Sequence, residues 1–173
     1  MFPEMRRSDR AIPKSDIDVI LAKAEYGIIS SIGANGYPYG VPISYVTMDE
    51  KIYFHCAADT GSKVENIRNN PKVCFTVVGY TEPLPEKFAT IYESVIAFGT
   101  AKEVEDEVKK AALVKLIEKY SDAYMESGLR YIDKLFDKTS IFEISLEHIT
   151  GKAHKKGTAH NLEFLENKAQ AEK

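Results

Sequence analysis

Apolar and polar residues alternate over several short segments of the chain, which is the pattern of half-buried β-strands. The strand-like segments are residues 27–32, 37–47, 52–57, 72–80, 91–101 and a sixth in which Phe142, Ile144, Leu146 and His148 alternate with polar residues. The Gly33-Ala34-Asn35-Gly36 turn joins the first two as a hairpin. Pro42 lacks a backbone N–H, so the second strand is expected at a sheet edge or a bulge.

Helical spacing of apolar residues appears in four other places. Ile17, Ile20 and Leu21 follow Pro13 and Ser15, which predicts a capped first helix. Ser62 is the expected N-cap of a short helix, with Glu65 completing a capping box and Asn70-Pro71 ending it. The clearest helix covers residues 105–121, and a further one is expected over 129–136. Residues 81–90 contain two prolines and are predicted to form a loop.

Six strands at short intervals, interrupted by a few helices, predict a mainly β fold. The expected architecture is an antiparallel β-barrel that carries helices at its ends. Strands and helices do not alternate regularly, which argues against a doubly wound parallel sheet.

Composition adds limits on size, partners and compartment. The 173 residues are 44% hydrophobic and 28% charged, which predicts one domain over residues 1–151 and a polar C-terminal tail over 152–173. The net charge of -3, without a basic stripe, argues against nucleic acid as a partner. Cys56 and Cys74 are expected to be reduced thiols, and no apolar run has the length of a membrane span, so we expect a cytoplasmic protein.

The turn Thr60-Gly61-Ser62-Lys63 is a candidate anion site. It combines a glycine that permits close approach, the N–H groups of a helix start, and hydroxyl and ammonium groups. The alternative is that Ser62 only caps the helix and Lys63 is solvated. The spacing does not decide between them, since it is not a complete phosphate-binding loop.

His55 is a second candidate. It lies on the same face of its strand as Tyr53 and Ala57, opposite Phe54 and Cys56. It could contact a ligand or be a hydrogen-bonded histidine in a partly buried wall. No partner residue has metal-ligand spacing, so no metal site is expected.

Tyr92 and Ser94 lie at the head of the fifth strand. By themselves, they indicate only a half-buried aromatic side chain and a solvated hydroxyl.

Four segments carry a resemblance to a known family: MRRSDRAI, GYPYGVPISYV, IYFHCAADTGSKVENIRNNPKVCF and YESVIAFGTAKEVED. In this order they resemble the flavin-binding split-barrel proteins related to pyridoxamine phosphate oxidase, and within them the nitroimidazole-resistance (Nim) branch. The resemblance extends over about residues 5–152.

The resemblance implies a six-stranded antiparallel split β-barrel, a homodimer, and one FMN in each of two clefts between the subunits. The residues that match cofactor-binding positions are Val41, Pro42, Ile43, Tyr45, His55, Cys56, Ala57, Ser62, Lys63, Tyr92 and Ser94. Lys63 matches the phosphate-binding lysine, and His55 matches a histidine at the substrate side of the flavin, here the catalytic candidate.

The chain departs from true pyridoxamine phosphate oxidases at three positions. Gly40 and Tyr45 stand where those enzymes carry basic residues, and Ser62 stands in place of an arginine. The expected function is therefore an FMN-dependent reductase that takes electrons from a donor and reduces a small oxidised molecule such as a nitroaromatic. The alternative is a non-catalytic protein that stores or senses flavin or haem, and a deazaflavin is a further possible cofactor.

Overall fold

The computed structural model describes residues 2, 4–58 and 61–154, and strands are more abundant in it than helices. The strands are β1 (Gly27–Ile32), β2 (Pro38–Ile43), β3 (Tyr45–Met48), β4 (Lys51–Ala57), β5 (Lys72–Leu84), β6 (Ala89–Val104) and β7 (Thr139–His154). The α-helices are α1 (Lys14–Lys23), α2 (Ser62–Asn69), α3 (Asp106–Ser121) and α4 (Met125–Leu135). Single turns of 3-10 helix cover Ser8–Arg10, Pro85–Lys87, Asp122–Tyr124 and Phe136–Lys138.

The strands form one antiparallel sheet in the order β2-β1-β5-β6-β7-β4-β3. β2 and β3 lie at opposite edges of this order, yet only Ser44 separates them in the chain. The two edges must therefore meet at Ser44, which rolls the sheet into a barrel.

Two apolar clusters lie on opposite sides of the sheet. The inner cluster fills the barrel and includes Tyr45, Phe54, Phe75 and Phe142, with apolar side chains of α1 and α2 packed against it. The outer cluster lies between the sheet and the α3–α4 hairpin, and includes Tyr53, Leu113, Leu116, Ile132 and Ile141. Consecutive residues of β4 thus face opposite clusters, as the alternation predicted.

The predicted mainly β, antiparallel fold is confirmed, with seven strands instead of six. The predicted strand over 37–47 is divided at Ser44, where the chain passes from one sheet edge to the other. β2 lies at an edge, as Pro42 indicated. The predicted loop over 81–90 is wrong, because β5 and β6 extend through this region as a hairpin.

The predicted helix caps are also wrong. α1 begins at Lys14 and α2 begins at Ser62, and neither N-terminus has a side-chain cap hydrogen bond. Gly61 takes the capping position of α2 with a φ of 94°, a conformation that glycine adopts without strain. None of the helices within the described ranges is long and apolar enough to span a bilayer.

Candidate functional site

His55 lies near the end of β4, on the face covered by the α3–α4 hairpin. It opens onto a cavity of about 120 Å³, the His55 pocket, which lies between that hairpin and the ends of β4 and β7. The pocket is lined by His55, Leu113, Leu116, Ile117, Tyr131, Ile132, Leu135 and Thr139. His55 is still exposed at its open side, but partial shielding from water by the apolar lining lowers the pKa of the imidazole, and the Lys63 ammonium lowers it further. His55 is therefore largely neutral at pH 7.

The first turn of α2 follows the end of β4 after four residues and therefore lies at the same end of this strand as His55. The N–H groups of Val64 and Glu65 donate to the Gly61 carbonyl. The amides of Ser62 and Lys63 come before them and have no acceptor within the helix. A Cβ built on Gly61 would meet no atom within 4 Å among the described residues, so space beside this turn is open.

Lys63 is half-buried, and its ammonium lies 5.8 Å from the centre of the Phe54 ring. Ser62 and Ala57 are exposed. The structure thus brings His55, Ala57, Ser62 and Lys63 together at one end of β4. Residues 59 and 60, which include Thr60 of the candidate turn, lie outside the described residues.

Cys56 faces the other side of β4 and is buried in the inner cluster. Burial raises the pKa of its thiol, against the effect of Lys63. The side chain is therefore a protonated core thiol at neutral pH, within electrostatic range of Lys63.

Tyr45 also belongs to the inner cluster and is fully buried. Its hydroxyl donates to the Leu21 carbonyl at 2.8 Å, and its ring packs edge-on against Phe75. Val41 and Ile43 pack partly against the same cluster, whereas Pro42 between them is exposed.

Tyr92 and Ser94 point away from the inner cluster, at the start of the long strand β6. Arg10 donates to the Tyr92 hydroxyl at 3.2 Å, and Lys152 lies over the same ring. Burial alone would raise the pKa of Tyr92, but these two cations lower it overall. Arg10 and Lys152 were missed as site residues, although Arg10 lies in the segment MRRSDRAI and Lys152 pairs directly with Ser94.

Tyr92 and Ser94 are far from His55 within one chain. Phe54, next to His55 on β4, pairs with Phe142 on β7. Phe142 in turn pairs with Glu103, which lies at the end of β6 opposite to Tyr92 and Ser94. Ser94 and Glu103 are nine positions apart, or about 30 Å along the strand at roughly 3.3 Å per residue. A single chain therefore does not bring all the predicted site residues into one cleft.

A further surface of the barrel, the outer sheet face, includes Ser94 but not His55. It consists of the residues of β2, β1, β5 and β6 that point away from the inner cluster: Gly40, Pro42, Ile28, Ser30, Cys74, Thr76, Val78, Ser94, Ile96 and Phe98. All ten are uncharged, and Val78 and Ile96 are 48% and 39% exposed. α1 and α2, which approach these strands, place their buried apolar residues in the inner cluster instead.

Comparison with solved structures finds the same fold in several proteins. One is a putative 5-nitroimidazole antibiotic resistance protein from Bacteroides thetaiotaomicron, with 23% identity over 83% of this chain and 86% of that chain and a TM-score of 0.66. The flavocytochrome Anf3 from Azotobacter vinelandii has 20% identity over 89% and 73% of the two chains and a TM-score of 0.73. A FAD-binding protein from Mesorhizobium loti has 22% identity over 84% and 98%, with a TM-score of 0.59.

No curated protein matches the sequence significantly. The family model described as pyridoxamine 5'-phosphate oxidase matches residues 13–153, which include all seven strands and all four α-helices except the last residue of β7. The chain therefore belongs to the pyridoxamine 5'-phosphate oxidase family.

Proposed function

We propose that the protein is an FMN-dependent reductase that transfers electrons from a reduced nicotinamide to a small nitroaromatic molecule. The observation that carries the proposal is that the end of β4, with His55, and the first turn of α2, with Lys63 and two amides that have no acceptor within the helix, lie next to each other. Support also comes from the family and from the names of two neighbours of the same fold, a nitroimidazole-resistance protein and a FAD-binding protein.

The chemistry of the α2 turn suits a phosphate group. The helix N-terminus supplies amide donors and a positive dipole end, Ser62 supplies a hydroxyl, and Lys63 supplies a charge. Gly61 allows close approach because, among the described residues, no atom lies within 4 Å of a Cβ built on it. In this proposal, these groups bind the FMN phosphate.

The flavin ring would lie between two subunits. Tyr92 and Ser94 are about 30 Å along β6 from the His55 region, so a cofactor of FMN size can contact both sets only if they come from different copies. The outer sheet face is uncharged and carries Ser94 itself, which suits it to pair with a second copy. The proposed site thus combines Lys63 and His55 of one subunit with Tyr92 and Ser94 of the partner subunit.

The bound flavin supplies the two-electron chemistry, and the side chains position the reactants. The overall reaction balances as a nitro compound, a reduced nicotinamide and one proton giving a nitroso compound, the oxidised nicotinamide and water. His55 is assigned the positioning of the nitro oxygens by a hydrogen bond, and the protonated fraction of its imidazole can deliver a proton there.

The proposal is tested by anaerobic turnover of the full chain loaded with FMN, using a reduced nicotinamide as donor and nitrobenzene as acceptor. We expect turnover in the wild type and at least a tenfold slower rate in His55→Ala with FMN still bound. Equal rates in the two proteins would remove His55 from the reaction. Tight cofactor binding without any turnover would instead support a flavin or haem storage or sensor protein, and the absorption spectrum of the purified protein separates these cofactors.

A further inference from the structure

The His55 pocket has an apolar wall and a polar wall. The apolar wall is formed by side chains of α3 and α4: Leu113, Leu116, Ile117, Ile132 and Leu135. The polar wall comes from the strands, where His55 and Thr139 belong to β4 and β7. Tyr131 lies at the rim and is 62% exposed, so the pocket opens to solvent beside it. Such an arrangement orients a ligand by its polar end.

The size of the pocket sets the size of the ligand. Its volume of about 120 Å³ is close to that of a cavity of about 150 Å³ that binds benzene in an engineered protein. One aromatic ring therefore fits, whereas the three fused rings of a flavin do not. The pocket is thus separate from the space that the cofactor itself would need.

The charge of the lining sets the charge of the ligand. Among the described residues, none that lines the pocket carries a carboxylate, ammonium or guanidinium group. The lowered pKa of His55 leaves its imidazole mostly uncharged at neutral pH. Lys63 is not a lining residue, and its ammonium lies towards Phe54, on the other face of β4. An ionised ligand would therefore lose its hydration in the pocket without touching a counter-ion, which is costly, whereas an uncharged polar group could hydrogen-bond to His55.

We propose that the His55 pocket is a binding subsite for an uncharged single-ring aromatic molecule, with its ring against α3 and α4 and its polar substituent at His55. The role of this subsite in catalysis rests on the proposed function, because a nitroaromatic ring held here would present its nitro group to His55. The binding itself requires only the residues of the pocket.

Binding is measured on the full chain, once without flavin and once with saturating FMN, by following the methyl resonances of leucine and isoleucine during titration with nitrobenzene. Benzoate is the matched probe, since it has nearly the same shape but carries a charge. We expect saturable shifts at Leu113, Leu116 and Ile132, and at least tenfold weaker binding of benzoate. Magnetisation transfer from the ring protons to these methyl groups locates the ligand directly in the wild type.

Two tryptophan variants on α4 complete the test. Leu135→Trp places an indole in the pocket and should weaken nitrobenzene binding at least tenfold. Leu129→Trp adds the same group to the exposed side of this helix, where Leu129 is 41% exposed, and should bind like the wild type. Shifts that do not saturate, equal binding in both variants, or no transfer to the pocket methyl groups would overturn the proposal. Ring binding in a protein that fails to bind flavin would leave the subsite standing and remove the reductase function.

Discussion

Lys63 brings a positive charge to the first turn of α2, next to the exposed hydroxyl of Ser62. A charge-assisted hydrogen bond contributes about 1.5 to 3 kcal/mol, so its loss should weaken phosphate binding by roughly tenfold or more. We therefore predict that Lys63→Ala raises the dissociation constant of FMN at least tenfold and leaves that of riboflavin, which lacks the phosphate, unchanged. Fluorescence titration with both flavins checks this. Equal weakening of the two would mean that Lys63 acts through the fold.

Glu143 is a buried carboxylate that the sequence did not reveal, because the alternation only places it on the polar side of its strand. Its side chain is 4% exposed and accepts hydrogen bonds from Lys51 at 3.0 Å, Tyr53 at 2.9 Å and Ser145 at 3.0 Å. Burial by itself would raise the pKa of Glu143, but these donors together lower it. The ionised form is therefore the one that stabilises the fold.

The pH dependence follows from the sign of this shift. A carboxyl group with a lowered pKa in the folded state stabilises the fold above its unfolded pKa of about 4.3, and this contribution is lost as the pH falls through the folded value. We predict that Glu143→Gln lowers the free energy of unfolding by about 1 to 3 kcal/mol at pH 7 and by progressively less below pH of about 4. Urea unfolding at several pH values measures it, with the exposed Glu147→Gln as control. A difference that does not change with pH would contradict the assignment.

The α3–α4 hairpin depends on a close contact between its two helices. Gly128 of α4 is buried, and a Cβ built on it would lie 2.6 Å from Cγ2 of Ile117 on α3. We predict that Gly128→Ala destabilises the protein by about 1 to 3 kcal/mol through overpacking, despite the better helix propensity of alanine. In an Ile117→Ala background the same substitution should stabilise by up to about 1 kcal/mol, since the clash is gone. Thermal unfolding of the four proteins decides this, and the same sign in both backgrounds would contradict the packing argument.

Local patterns predicted the strands well where alternation and turns determine them, as in the β1–β2 hairpin. They failed where the sheet as a whole determines the structure. Tyr39, Val41, Ile43 and Tyr45 alternate regularly on both sides of Ser44, so the sequence predicts one continuous strand. The sheet order shows instead that the chain moves at Ser44 from one edge of the sheet, in β2, to the other edge, in β3. Pro83 indicated a loop, because proline has no backbone N–H to donate within a sheet. In the structure, Pro83 lies in β5 beyond the part that pairs with β1, which is limited to residues 74–76, so β6 is its only described neighbouring strand.

In the candidate site, too, the sequence predicted which residues are close when they are near each other in the chain, but not when the sheet brings them together. His55 and Lys63 belong to one local strand-turn-helix unit, so their proximity could be anticipated from the sequence. Ser94 and Tyr45 could not be placed in this way, because their positions follow from strand order and from burial in the barrel. The cations beside Tyr92 come from both ends of the described chain and have no local signal.

The whole molecule presents an uncharged outer sheet face, and this face carries the last prediction. An exposed apolar surface of this kind favours association, and the separation of Ser94 from the His55 region requires a second copy if one flavin is to contact both. We predict that the wild type sediments at twice the chain mass of 19.4 kDa at micromolar concentration. Ile96→Glu places a charge in the middle of the face and should give a monomer that binds FMN at least tenfold more weakly. Val108→Glu is the control, because Val108 lies on α3, outside this face, and is 40% exposed against 39% for Ile96. This variant should remain a dimer with normal FMN affinity. A wild-type monomer that binds FMN tightly, or an Ile96→Glu monomer with unchanged affinity, would show that one subunit provides the complete cofactor site.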